Sequence, residues 1–117
     1  VQKPKPYRQI KQPPIVEIKL CPGLFVKQMA LEAADSWVPQ HSHAFAHLSM
    51  VAAGKVAVWR DGQFWGDFEA PTGILIEPGV KHTFHSLVPH TVIYCIHRVG
   101  ADGEPEILEE HQFGTAL

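Results

Sequence analysis

The segment Lys55-Val56-Ala57-Val58-Trp59-Arg60, then Asp61-Gly62, then Gln63-Phe64-Trp65-Gly66-Asp67-Phe68, most narrows what this chain can fold into. Asp-Gly suits the φ > 0 positions of a two-residue hairpin turn, and the β-branched and aromatic residues around it suit paired strands. Similar punctuation recurs on both sides. Ile15 to Leu20 alternates, is rich in β-branched residues and stops at Cys21-Pro22-Gly23. Leu24 to Leu31 resumes, and a loop from Glu32 to Ser36 follows. Gly73 and Pro78-Gly79 frame Ile74-Leu75-Ile76, and two more strands are expected over His82–Val88 and Thr91–Arg98. Only Glu106 to Gln112 suggests a short helix. Many short strands with a turn every eight to twelve residues or so predict an all-β sandwich or small barrel.

The 117 residues fit one domain, and 45% apolar with 19% charged residues is an ordinary globular composition. Val1 to Pro14 holds four prolines and four basic residues, and reads as an extended arm, solvated or reaching to a second subunit. Residues 15–117 form the domain proper. A net charge of −2 provides no field that would draw the protein onto nucleic acid or anionic lipid. No apolar run approaches the roughly 18–20 residues that span a bilayer. The two cysteines, Cys21 and Cys95, lie far apart without CxxC spacing, and the Lys/Pro-rich start has no hydrophobic stretch of a secretory signal. The expectation is a cytoplasmic protein with reduced thiols.

Eight histidines are the outlier. His41, His43 and His47 share strand parity, so in an extended chain they crowd one face, with the Cα atoms of His41 and His43 about 6.5–7 Å apart. That is within reach of one shared ion. Buried without a metal, such a cluster leaves polar nitrogens to satisfy and sets like charges together on protonation. A surface cluster, or single hydrogen-bonded core histidines, are the alternatives left open by spacing alone.

The run His41-Ser42-His43-Ala44-Phe45-Ala46-His47, closing at Gly54, resembles the first signature of the cupin superfamily, with His47 where that signature has a glutamate. Ile76-Glu77-Pro78-Gly79-Val80-Lys81-His82-Thr83-Phe84 is similar to the second signature, in which a Pro/Gly turn delivers the last ligand histidine. Pro78 is shifted by one from the family position, which Glu77 occupies, and Ser86 stands where an asparagine is often found. The resemblance implies an antiparallel double-stranded jelly-roll barrel, often a homodimer through an added N-terminal strand. It also implies one divalent transition-metal ion held by His41, His43, His47 and His82.

Exchanging the glutamate for a neutral imidazole leaves the ion one more unit of formal positive charge and makes it a stronger Lewis acid. Imidazole suits Fe, Ni, Cu and Zn more than Mg or Ca, and the expected ion is one of Fe, Ni, Mn, Zn or Cu. The expected function is a metal-dependent, dioxygenase-like oxidoreductase acting on a small anionic, enolisable or catecholic molecule. The alternatives are a non-catalytic metal or small-ligand module, and a metal-dependent isomerase or lyase with Glu77 or His97 as its base. Phe84, which shares parity with His82, and Trp59, which precedes the hairpin turn, are the expected substrate contacts, with His97 lining the barrel beside them. His85 falls on the opposite face from His82, and His90 and His111 fall in a turn and a tail. No Walker-type loop, dinucleotide glycine motif or Ser-His-Asp arrangement is present.

Overall fold

The computed structural model describes residues 14–38 and 46–98. Among the described residues there are eight strands: β1 (Ile15–Cys21), β2 (Leu24–Leu31), β3 (His47–Ala53), β4 (Lys55–Arg60), β5 (Gln63–Glu69), β6 (Thr72–Ile76), β7 (His82–Ser86) and β8 (Thr91–Arg98). Among the described residues none is helical, and so no helix there is long and apolar enough to cross a membrane. The expected arm over 1–14 lies outside the described residues except for Pro14, as does the expected helix over 106–112.

All pairings are antiparallel, in a five-stranded sheet ordered β1-β2-β8-β3-β6 and a three-stranded sheet ordered β5-β4-β7. The expected hairpin is β4–β5. Asp61 and Gly62 have φ of 49° and 79°, the left-handed values this turn demands. A bulge between Val58 and Trp59 shifts its register. β7 is two residues shorter than expected: Leu87 leaves the strand to donate to the Lys55 carbonyl at 2.9 Å.

The two sheets pack face to face because each presents one apolar side. Met29 and Leu31 of β2, Val51 of β3, Val56 and Val58 of β4, Ile74 and Ile76 of β6, Phe84 of β7, and Ile93 and Cys95 of β8 form one buried cluster, with Val38 covering it. Residues between them on β2 and β8 are only partly covered, the alternation of a sheet with one wet face. β7 breaks this pattern and is buried on both faces. The segment 35–38 lies along it: Asp35 N–H donates to the Ser86 carbonyl at 2.8 Å, Ser86 N–H to that of Ser36 at 2.9 Å, and Val38 N–H to that of Phe84 at 2.9 Å. An edge strand is thereby capped, and its backbone groups are satisfied.

Candidate metal centre

His47 and His82 meet between the two sheets. His47 opens β3 and points inward with Ser49 and Val51, leaving it 3% exposed. His82 opens β7 and is fully buried. The turn that brings it there is short: Val80 N–H donates to the Glu77 carbonyl at 3.3 Å, and Gly79 adopts φ +78°. The ring centroids of His47 and His82 come to lie 5.0 Å apart, tilted by 47°.

The tautomer of His82 is set by its surroundings. A carbonyl oxygen only accepts, so the 3.1 Å bond between Nδ1 and the Val80 oxygen places the proton on Nδ1 and the lone pair on Nε2. Histidine ligands to metals characteristically use their second nitrogen in this way. Burial pulls the His82 pKa down to about 4, against the raising effect of the Val80 bond and with help from the charge on Lys27. The ring is therefore neutral at neutral pH, the form that coordinates a cation.

His41 and His43 lie outside the described residues. Among the described residues no three His, Cys, Asp or Glu side chains gather where one ion could sit. What is described is thus the two-histidine half of the expected set. Its chemistry, two buried imidazoles with one tautomer fixed, fits a first-row transition ion and does not fit Mg²⁺ or Ca²⁺, which take oxygen.

The residues expected to touch a ligand separate onto two faces. Phe84 is fully buried on the inner face and sets its ring 5.7 Å from that of His82, at 67°. His97 also points inward, stacked on Phe25 at 4.6 Å and 15°. Its Nδ1–H donates to the Arg98 carbonyl at 2.9 Å, and burial lowers its pKa. Since Ile96 pairs with Leu48, the next step along both strands sets His97 beside His47. Trp59 is placed elsewhere. It pairs with Thr83 while His82 pairs with Arg60, so Trp59 and His82 occupy opposite faces of the small sheet. Trp59 packs instead on Trp37 and Phe64, at 6.3 Å and 5.4 Å between ring centroids.

His85 shares that outer face. Its Nε2 lies 2.7 Å from Asp35 Oδ1, and its ring stacks on Trp37 at 4.1 Å and 10°. Cys21 is exposed and Cys95 buried, both free thiols.

Three inward residues carried no expectation of a place near the site: Lys27, Ser49 and Cys95. Lys27 is 2% exposed, on the side of β2 that also presents Phe25, Met29 and Leu31. It pairs with Cys95, which pairs with Ser49, whose Oγ lies 3.5 Å from the thiol. Burial lowers the Lys27 pKa to about 8, with Cys95 acting in the opposite sense, and raises that of Cys95. The signal was its parity: Lys27 falls in step with the apolar residues of its strand.

No family model and no curated protein sequence matches the chain. Among solved structures it is similar to a cupin superfamily protein from Desulfitobacterium hafniense, with a TM-score of 0.64 and 11% identity over 80% of this chain and 83% of that one. It is similar to an RmlC-like cupin with a double-stranded β-helix fold from Methanocaldococcus jannaschii, at TM-score 0.64 and 11% identity, covering 93% and 97% of the two chains. KdgF from Halomonas sp. superposes with a TM-score of 0.62 at 15% identity over 74% and 79%. The chain has the jelly-roll fold of the cupin superfamily.

Proposed function

We propose that this protein is a mononuclear metal-binding cupin in which His41, His43, His47 and His82 hold one divalent ion (Fe, Ni, Mn, Zn or Cu). We further propose that it acts as a dioxygenase-like oxidoreductase on a small anionic or enolisable molecule. The observation that carries the metal reading is the His47–His82 pair, two buried rings 5.0 Å apart with the His82 proton held on Nδ1 by Val80. When bound, the ion supplies Lewis acidity to an oxygen ligand. The chain's own residues do the rest. Val80 orients His82, the Phe84 ring limits the space beside it, and Phe25 and His97 wall the neighbouring strand.

Metal analysis of protein purified without an affinity tag tests the first part, with about one ion per chain expected in wild type and loss in His47→Ala and His82→Ala. Oxygen uptake by the iron-loaded protein over a panel of catechols and 1,3-diketones tests the second. A binding module without turnover is the second reading. It is favoured by the absence of Asp and Glu from the inward faces of the described strands, which leaves no carboxylate there to serve as a base. An isomerase or lyase would have to use His97, because Glu77 is exposed in the turn after β6.

A homodimer is proposed as well. Edge strand β1 exposes Ile18 (44%) and Leu20 (60%), while Leu48 and Leu75 face each other across β3 and β6 on the outer surface. Sedimentation velocity distinguishes monomer from dimer. A cytoplasmic setting accords with the two free thiols.

A further inference from the structure

We propose that Arg60, held over the ring of Trp65 at the mouth of the barrel, recognises the carboxylate of a small acid whose oxygen donors at the other end face His47 and His82. The second half of that statement rests on the metal-binding reading, and the first stands on the rim of the barrel alone.

The placement follows from register. β4 sends Val56 and Val58 into the core cluster, and Arg60, the next residue of that parity, takes the same face where the strand ends. Arg60 lies directly opposite His82 in the β4–β7 pair. Side chains so paired stand on one side of the sheet, with their Cβ atoms about 4.5–5.5 Å apart. His82 is fully buried and Arg60 is exposed, so the inner face passes from the closed barrel to solvent between these two residues. A molecule that approaches His82 from this rim meets the guanidinium first.

The side chain is held in place. Val58 pairs with Gly66 and Trp59 with Phe64, so the bulge leaves Trp65 as the unopposed residue of β5. Bulges at barrel rims re-aim side chains in this way. Arg60 Cζ lies over the Trp65 ring, 4.2 Å from its centroid, and that ring stands edge to face with Phe68 at 5.7 Å, while Phe68 packs on the core. The cation is thus tied to the barrel through two aromatic rings. A contact to a ring face consumes none of the guanidinium N–H donors. Among the described residues no carboxylate pairs with Arg60, and Asp61 beside it accepts the Lys81 N–H at 3.0 Å instead. A planar fork of donors fixed at one place suits a carboxylate, which accepts parallel charge-assisted hydrogen bonds from it.

The test uses untagged full-length protein loaded with Co²⁺, whose d–d absorption reports ligands entering near the ion. Two catechol acids that differ by one methylene, 3,4-dihydroxybenzoate and 3,4-dihydroxyphenylacetate, are titrated against their primary amides in wild type, Arg60→Gln, Arg60→Lys, Trp65→Leu and Lys81→Gln. Wild type is expected to prefer at least one acid over its amide by about fivefold or more, the discrimination of an exposed but bidentate ion pair. Arg60→Gln is expected to abolish that preference while amide binding and Co²⁺ affinity stay within about threefold of wild type, as befits an exposed position. Arg60→Lys should retain part of it, since the charge stays and the fork is lost, and Trp65→Leu should weaken acid binding but not amide binding. Lys81→Gln, which removes an exposed cation next to His82 in the chain, should keep the preference whole. A preference that survives in Arg60→Gln or is lost equally in Lys81→Gln, acid binding unchanged in Trp65→Leu, or no preference in wild type overturns the inference. If wild type takes up no Co²⁺, the metal reading fails, and benzoate and benzamide are then compared on the metal-free protein by isothermal titration. A benzoate preference that depends on Arg60 upholds the carboxylate contact, and its absence overturns it. The wild-type comparison of acid with amide and the Arg60→Lys variant keep the answer independent of whether Arg60→Gln folds.

Discussion

His82 donates its Nδ1–H to the carbonyl oxygen of Val80, two residues earlier, at 3.1 Å, which leaves the lone pair on Nε2 of a ring whose centroid lies 5.0 Å from that of His47. The turn that makes the bond also delivers the strand, so the orientation of the imidazole is built into the backbone.

Replacing His82 or His47 by alanine is expected to weaken Zn²⁺ or Ni²⁺ binding by more than about 100-fold, the upper end of what a change just outside a coordination shell costs. His85→Ala, on the other face of β7, is expected to leave metal affinity unchanged within a factor of about three. Isothermal titration of untagged, metal-stripped protein measures both. Equal losses in His82→Ala and His85→Ala would show that the effect is structural.

Stability of the metal-free protein is expected to fall in mild acid. In the unfolded chain His82 titrates near 6.5, but folded it resists protonation until about pH 4. Between those values the unfolded state binds the extra proton, so stability is fully present above about pH 6.5 and is lost as pH falls toward 4, by about 3 kcal/mol in total. His97, also lowered by burial, acts in the same direction. Urea midpoints measured across that window check this. They should decline in wild type and decline distinctly less in His82→Gln.

Two glycines with nearly the same φ are expected to respond differently to alanine. At Gly54 (φ +83°) a Cβ would fall on Thr91 Oγ1 and within 2.8 Å of the Thr91 Cα, which is fixed by pairing with Leu31. Gly54→Ala should cost more than about 3 kcal/mol, through a clash the backbone cannot relieve. At Gly79 (φ +78°) nothing lies within 4 Å, and Gly79→Ala should cost only about 1 kcal/mol of left-handed strain. Chemical denaturation of the two variants separates packing from conformation.

Asp35 combines a left-handed φ of 64° with the 2.7 Å contact to His85. Asparagine tolerates that backbone and keeps an acceptor for the Nε2–H donor, whereas alanine keeps neither. Asp35→Asn should cost less than about 1 kcal/mol and Asp35→Ala about 2–3 kcal/mol, from the lost bond to a buried ring together with strain. Thermal melts suffice, and equal losses would place the effect outside both causes.

Much of the strand order could be read from local chemistry. Asp61-Gly62 must turn, and Cys21-Pro22-Gly23 and Pro78-Gly79 interrupt runs whose alternation already separates Phe25 from Val26 and Ile74 from Leu75. The parity of a strand tells which side chains share a face, so Phe84 could be grouped with His82 and His85 set apart before any coordinates. Parity is silent on which face is covered. Trp59 was assigned to the site because it precedes a turn, but the β4–β7 register places it opposite Thr83, against Trp37.

What the residues determined unaided was the all-β class and the hairpin, because turn chemistry and period-two alternation act over a few neighbouring residues, whereas the grouping of His47 with His82 came from the resemblance to the cupin signatures. Tertiary structure alone decided that segment 35–38 seals the second face of β7, and that Lys27 is buried in one row with Cys95 and Ser49 across β2, β8 and β3. Both depend on which distant strands become neighbours. Burial and the field at a side chain are sums over the whole packed interior, and no local pattern contains them.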